Sequence, residues 1–191
     1  ERYTLWDGAN RHAVHSEAPH IYKVNGTYYL LTAEGGTFHD HAVVIARSKS
    51  ITGPYENNPR NPILTHRHLG LNYPITNTGH AELIQTQNND WWMVALASRP
   101  VGGYFYNLGR ETFLAPVIWE DDFPVVSPGT GCIAPTYANP KLPTRYIPGV
   151  SACDHFETEE LTYIWNTVYT PASENYFELN SGLHLKLQPT T

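Results

Sequence analysis

The sequence is short of the features that define several common classes of protein. It has two cysteines in 191 residues, Cys132 and Cys153, which are too few for a disulfide framework and lack the spacing of a zinc site. No run of 18 or more apolar residues is present, so neither a membrane span nor a membrane partner is predicted. Lys and Arg number 12 against 18 Asp and Glu and form no cluster. That argues against a nucleic-acid partner, which needs a concentrated basic face.

The composition instead favours many short strands. Charged residues make up 16% of the chain, which contains 15 Pro, 14 Gly and 13 Tyr. Such a supply of turn residues and aromatics is typical of short antiparallel strands, and long helices are not expected. The sequence therefore predicts an all-β protein. The chain does not begin with Met, so Glu1 could mark a processing site or the edge of a fragment, and the repeats described below favour a fragment. The sequence leaves its localisation open between secreted and cytoplasmic.

Two segments of the sequence are alike when Ile21 is laid on Ile84. "SEAPHIYKVNGTYYLLTA" then falls on "GHAELIQTQNNDWWMVALA" without a gap. Each reads as an alternating strand, a turn rich in Asn and an aromatic-led apolar strand, which is the pattern of a β-hairpin. The similarity of any two hairpins is the other explanation. The alignment puts Glu17 on His80 and predicts both at the start of an innermost strand, although each could be an ordinary polar residue at a strand end.

Further strand-like runs follow each hairpin, at 41–56 and 108–126. Each copy is then a four-stranded antiparallel unit, the size of a propeller blade. Propellers need at least about four blades to close, and this chain holds about two. We therefore expect upstream blades in the parent protein. Exposed strand edges and apolar faces predict association with those blades or with other copies of the chain.

Several long motifs resemble glycoside hydrolase family 43, in its β-xylosidase and α-L-arabinofuranosidase branch. They are "EAPHIYKVNGTYYLLTAEGG", "VVIARSKSITGPYENNPRNPIL", "TGHAELIQ" and "LGRETFLAPVIWEDDFPVV". The resemblance implies part of a five-bladed β-propeller over 1–126, a linker over 127–150 and the start of a C-terminal β-sandwich over 151–191. It also implies hydrolysis, with inversion, of terminal xylose or arabinose in xylo- or arabino-oligosaccharides.

The resemblance assigns roles to three residues. Glu17 stands where the family has its general acid, and we expect it in a narrow, desolvated channel that keeps it protonated. His80 stands where the family binds substrate or holds a cation, such as calcium, through water; no cofactor is otherwise required. Arg110 stands where the family binds substrate hydroxyls, a task that suits its planar, permanently charged fork. The alternative for Arg110 is a structural ion pair between blades.

No segment matches the motifs that carry the family's base and its partner Asp, which belong to earlier blades. The acids that are present, Asp7, Glu34, Asp40, Asp121 and Asp122, are predicted in loops or in motifs without a catalytic role. We therefore expect the isolated chain to be inactive. The alternative function is a non-catalytic carbohydrate-binding or structural propeller remnant.

Other patterns have a structural explanation beside the functional one. Glu82 shares a strand face with His80 by the period of two and is interpreted as an ordinary polar residue. Asn25-Gly26-Thr27 fits a glycosylation sequon but also the turn of a hairpin. The pairs His39/His41 and His66/His68, like His12, His15 and His20, lack metal-site spacing and are predicted to be surface or hydrogen-bonding side chains. The aromatic residues could line sugar subsites or pack in the core; they include Trp6, Tyr28, Tyr29, Trp91 and Trp92.

Overall fold

A computed structural model describes residues 2–8, 14–70, 72–149, 153–166 and 175–187. The chain divides into two compact units, Glu1–Pro143 and Thr144–Thr191. Strands form the regular structure of the described residues, together with one short 3₁₀ helix, Arg67–Leu69. The described residues contain no helix that is long and apolar enough to cross a membrane. The all-β prediction is therefore confirmed.

The first sheet of unit 1 is built on a tight hairpin. Asn25 and Gly26 both have positive φ, 48° and 77°, the geometry that a two-residue primed turn requires and that Asn-Gly supplies at little cost. All its strands pair antiparallel in the order β1-β2-β3-β4, and β5 pairs with β3. The strands are β1 (Glu17–Val24), β2 (Thr27–Glu34), β3 (Ala42–Ser48), β4 (Glu56–Asn57) and β5 (Leu64–Thr65).

The second sheet repeats this design. Its order is β6-β7-β8-β9, again antiparallel throughout. Its hairpin has a longer turn than the first, closed by the Thr86 amide, which donates to the Asp90 carbonyl at 2.8 Å. The strands are β6 (Thr76–Gln85), β7 (Trp91–Ser98), β8 (Glu111–Glu120) and β9 (Phe123–Val126). The second sheet is the predicted four-stranded unit, and the first contains the four predicted strands with a fifth, β5, added.

The longer second turn changes the alignment of the two inner strands. Glu17 pairs with Ala33, and Gly79 pairs with Leu96, the residue laid on Ala33. The residue equivalent to Glu17 is therefore Gly79, and the prediction that His80 occupies that place is wrong by one position. The backbone supports this register, because Ala18 and His80, the next residues, both have left-handed φ, 48° and 47°.

The hydrophobic core of unit 1 lies between the two sheets. The first sheet contributes Leu31 and Ile45, and the second contributes Leu83 and Met93, all at most 5% exposed. Alternation along each strand directs these side chains to the shared interior. At one end of the interface the Tyr29 hydroxyl donates to the Asp122 carbonyl at 2.8 Å. Neither sheet could bury this apolar surface alone.

Several of the aromatic residues pack in this interface. The ring of Trp119 lies edge-on to Tyr29 and to Trp91, with centroids 4.9 and 5.4 Å apart. Tyr29 and Trp92 are 3% and 8% exposed. Edge-to-face packing of this kind stabilises an apolar interface beyond simple burial. Core packing is thus the role that the structure gives to Tyr29 and Trp91. Trp92 is also buried but lies on the opposite face of β7, outside this cluster.

His66 connects β5 to two other segments of unit 1. Its ring, 1% exposed, donates from Nδ1 to the Ile75 carbonyl at 2.6 Å and accepts at Nε2 from the Ile133 amide at 2.9 Å. Burial lowers the pKa of His66, against the opposing effect of its hydrogen bond to Ile75. The ring must remain neutral, because a proton on Nε2 would face the amide hydrogen of Ile133.

We expect stability to depend on this neutral ring. The pKa of His66 is lower in the folded chain than in the unfolded chain, so unfolding takes up protons at acidic pH. The stabilisation by the neutral ring is therefore complete at pH values above the unfolded pKa and is lost as the pH falls below it. The melting temperature should decrease as the pH is lowered from about 7.5 to about 5.5. His66→Gln should flatten this slope, whereas the exposed His68→Gln should retain it. An equal slope in both variants would contradict the assignment.

Unit 2 contains a hairpin of β10 (Phe177–Leu179) and β11 (Leu183–Leu185). Before it, the Asp154 carboxylate accepts hydrogen bonds from Trp165 Nε1 at 2.7 Å and from the Phe156 amide at 2.8 Å. The Trp165 donor, followed by the amide, lowers the pKa of Asp154. The assignment of 1–126, 127–150 and 151–191 to propeller, linker and sandwich stays a prediction.

Candidate active site

Glu17 begins β1, at the end of the sheet where the β2–β3 loop also lies. The strand is irregular between Glu17 and His20, and Ala18 has a φ of 48°. Such a bulge re-aims the side chains on either side of it. In this chain Glu17 is exposed, as is Pro19, so the expected desolvation is not found. Two blades supply only part of a channel wall, which leaves this carboxyl open to solvent.

His80 lies in the matching bulge of β6. Register shifts flank Gly79, and His80 has a φ of 47°. The ring is half-buried, and its Nδ1 is buried without a protein partner among the described residues. A buried ring nitrogen without a partner is costly unless water or a ligand reaches it. Part of the half-buried ring is therefore accessible at this end of the sheet, while Nδ1 itself is shielded from solvent.

Arg110 directly precedes β8, after Gly109 with a φ of 67°. Its side chain is exposed and makes no ion pair within 4 Å in the described part of the chain. The adjacent Glu111 instead pairs with Arg99, whose two nitrogens contact the carboxylate at 2.7 and 2.9 Å. The interpretation of Arg110 as a structural ion pair between blades is therefore not supported.

His41 is a residue of the site that sequence reasoning left among the ordinary histidines. It precedes β3, is 2% exposed and donates from Nδ1 to the Asn77 carbonyl at 3.0 Å. A Cβ on Gly79 would lie 2.3 Å from its ring. The imidazole of His41 therefore packs directly on the backbone at the position of the second blade that is equivalent to Glu17. Its neighbours come from distant parts of the chain, so no local motif could have indicated this role.

The charged and titratable groups around His41 include the three predicted site residues. Burial lowers its pKa, while the hydrogen bond with Asn77 opposes that shift. His80 and Arg110 lower the pKa further, and Glu17 raises it. All three predicted site residues therefore lie within electrostatic reach of one buried, neutral imidazole. Glu17, His80 and Arg110, from three separate elements, converge at one end of the two sheets.

Of the remaining acids, Asp121 and Asp122 lie away from Glu17, whereas Glu34 and Asp40 lie at the same end of the first sheet as Glu17. Asp121 and Asp122 form the β8–β9 turn, at the opposite end of β8 from Arg110, and contact Arg60 and Arg47 at 3.8 Å. Glu34 was expected in a loop or in a motif without a role. It instead ends β2, pairs with Ala42 and is 2% exposed, because β2 continues to this residue.

Two of the weaker interpretations can also be placed. Glu82 lies 3.6 Å from His20 across the two blades, with both side chains partly exposed, as an ordinary polar strand residue would. The described residues contain no group of three or more His, Cys, Asp or Glu that could hold a metal ion. His12 lies outside the described residues.

Known proteins are similar to this chain in sequence and fold. Residues 1–124 match the family described as glycosyl hydrolases family 43. A "Xylosidase/arabinosidase" of Butyrivibrio fibrisolvens is 45% identical over 97% of this chain and 36% of that protein. A "Non-reducing end alpha-L-arabinofuranosidase BoGH43B" of Bacteroides ovatus is 43% identical over 82% of this chain and 29% of its own length. The solved xylan beta-1,4-xylosidase of Bacillus halodurans C-125 superposes with a TM-score of 0.89 and 33% identity, over 98% of this chain and 36% of that one.

The chain belongs to glycosyl hydrolases family 43. Its all-β fold is part of a five-bladed β-propeller, of which it contains about two blades. It spans about a third of the length of these relatives. The resemblance and the fold class predicted from the motifs are both confirmed.

Proposed function

We propose that these residues belong to a glycosidase that removes terminal xylose or arabinose from xylo- or arabino-oligosaccharides with inversion. The observation that carries the proposal is that the strand register places Glu17, His80 and Arg110 at the same end of the two sheets, around the His41 ring that packs on Gly79. The names of the relatives support the substrate class. Because one relative is named for both sugars and another for arabinofuranose, both are retained as substrates.

Glu17 is the proposed general acid. An inverting glycosidase needs one carboxylic acid to protonate the leaving oxygen and a second carboxylate to activate water on the opposite face of the sugar. No candidate for the second carboxylate was found in this sequence, so we place it on a blade outside these residues. Enclosure by such blades would also desolvate Glu17 and favour its protonated form.

His80 and Arg110 are the proposed substrate contacts. The exposed guanidinium of Arg110, without an ion-pair partner among the described residues, can hold two sugar hydroxyls at once. His80 can contact a sugar through the accessible part of its half-buried ring. The chemistry needs no cofactor. A calcium or other cation held by His80 through water also remains a proposal, and a single imidazole suits such an indirect contact better than direct coordination.

A non-catalytic, carbohydrate-binding piece is the second candidate function. It is favoured by the exposure of Glu17, because the described residues do not form the enclosed channel that a general acid of this kind is expected to occupy. This candidate predicts sugar binding that never leads to hydrolysis, even when the other blades are supplied.

A chimera separates the two functions. Residues 1–191 would replace the matching segment of the Butyrivibrio fibrisolvens relative, whose 45% identity favours correct assembly of the blades. We expect the chimera to hydrolyse nitrophenyl xyloside or nitrophenyl arabinofuranoside, while the 191-residue chain alone does neither because it lacks the base. A folded chimera that binds xylose but hydrolyses no substrate would favour the second candidate. Activity of the chain alone would contradict our placement of the base.

A further inference from the structure

Two hydrogen bonds meet on Asn77, a residue of β6 that is 5% exposed. Its backbone carbonyl accepts from His41 Nδ1 at 3.0 Å, and its side-chain Oδ1 accepts from the Tyr104 hydroxyl at 3.1 Å. His41 precedes β3, and Tyr104 lies in the β7–β8 loop. One buried residue therefore joins both sheets and a surface loop.

Asn77 also has an unusual backbone conformation, with a φ of 57°. A residue other than glycine keeps a positive φ only when its surroundings impose it, and Asn tolerates that region better than most. The bulge that begins at Asn77 ends at His80. Contacts that hold Asn77 in this conformation therefore also set where the His80 ring points.

Ring contacts and a hydrogen bond fix the position of the Tyr104 side chain. Its ring lies edge-on to His39 and to Tyr106, with centroids 6.2 and 4.9 Å apart. Burial, followed by the neighbouring Tyr106, raises the pKa of the Tyr104 hydroxyl, which therefore stays protonated and able to donate. The loop that contains Tyr104 ends at Arg110. Fixing the loop at Tyr104 limits where the guanidinium can lie.

We propose that His41, Asn77 and Tyr104 form a clasp that positions His80 and Arg110 at the end of the two sheets where Glu17 lies. None of the three is a catalytic residue; each acts through the residues it holds. This inference rests on the proposed function, because the clasp has a catalytic consequence only if those three residues act on a sugar. Loosening it should weaken substrate binding through Arg110 and leave proton donation by Glu17 intact.

The first test is Tyr104→Phe, which removes one hydroxyl and keeps the ring. Hydrogen exchange on the 191-residue chain should become faster in the peptides that cover 76–80 and 99–110. In the chimera, KM for the nitrophenyl substrates should rise about 3- to 10-fold, as expected for one lost hydrogen bond, with kcat and the pH profile unchanged. Tyr55→Phe is the matched control, since its hydroxyl donates to the Ile51 carbonyl at 3.0 Å beyond the far end of β3, and it should change neither measurement.

The second test changes His41. The side-chain amide of His41→Asn can donate from a position close to that of Nδ1, whereas His41→Leu cannot donate at all. The Asn variant should therefore retain more of the exchange protection at 76–80 and a lower KM than the Leu variant. Equal behaviour of the two would mean that the ring only fills space, which would overturn the clasp.

These experiments test the clasp and the proposed glycosidase function separately. Unchanged exchange in Tyr104→Phe shows that there is no clasp, whatever the chimera does. Faster exchange with an unaltered KM shows that the clasp does not serve the site, and it too overturns the inference. A chimera that hydrolyses nothing with all its natural residues refutes the proposed function instead, while the exchange comparison still decides whether the hydrogen-bonded clasp exists.

Discussion

The Glu17→Gln variant of the chimera should lose about 10²- to 10⁴-fold in kcat on xylobiose. Gln has nearly the same shape as Glu but has no acidic proton, so the leaving sugar oxygen would depart as an alkoxide. Nitrophenolate needs far less protonation to leave, so the loss on nitrophenyl xyloside should be much smaller. The difference between the two substrates identifies the acid more specifically than the loss itself.

The matched control is Glu82→Gln. Glu82 is a carboxylate of β6 that lies 3.6 Å from His20 and has no role in the proposed chemistry, so its replacement should leave both rates nearly unchanged. The pH profile gives a second criterion, because the Glu17 variant should lose the limb that reports the acid. Equal losses on xylobiose and nitrophenyl xyloside would argue for a general binding defect and against the assignment of Glu17.

Gly79→Ala should destabilise the chain, because the added Cβ would lie 2.3 Å from the His41 ring. That ring is buried and held by its hydrogen bond to Asn77, so it cannot move aside freely. Overpacking of this kind costs about 1–3 kcal/mol, which lowers the melting temperature of a chain of this size by roughly 3 to 10 °C. Thermal unfolding monitored by circular dichroism would measure the change.

A double variant identifies the cause of that loss. In a His41→Ala background the obstacle is gone, so adding Gly79→Ala should cost much less than it does beside the native imidazole. Gly149→Ala is the control, since a Cβ there meets no atom within 4 Å and the residue is exposed. Additive effects of His41→Ala and Gly79→Ala would contradict the packing argument.

The sequence predicted what local rules determine. Asn25-Gly26 specified a primed turn, the alternating residues specified β1 before it, and the aromatic-led apolar run specified β2 after it. The motifs located Glu17, His80 and Arg110, which the fold brings to one end of the two sheets. These features depend on neighbours in the chain, and each can be read within about ten residues.

The rest depends on contacts between distant segments. A slightly longer second turn shifted the inner strand, so Gly79 rather than His80 matches Glu17. The role of His41 arises from Asn77 and Gly79, which lie on the other sheet. The exposure of Glu17 could not be inferred from its motif either, because burial depends on how many walls surround the side chain.

The repeated bulge has a consequence for redesign. Both blades present the same backbone shape, yet the first carries the carboxyl of Glu17 where the second has the bare Cα of Gly79 against an imidazole. Transplanting the acid from one blade to the next would therefore take two simultaneous exchanges, an acid for Gly79 and a smaller side chain for His41. Activity of such a variant would show whether the proton donor must lie on one particular blade, or whether its distance from the sugar is sufficient.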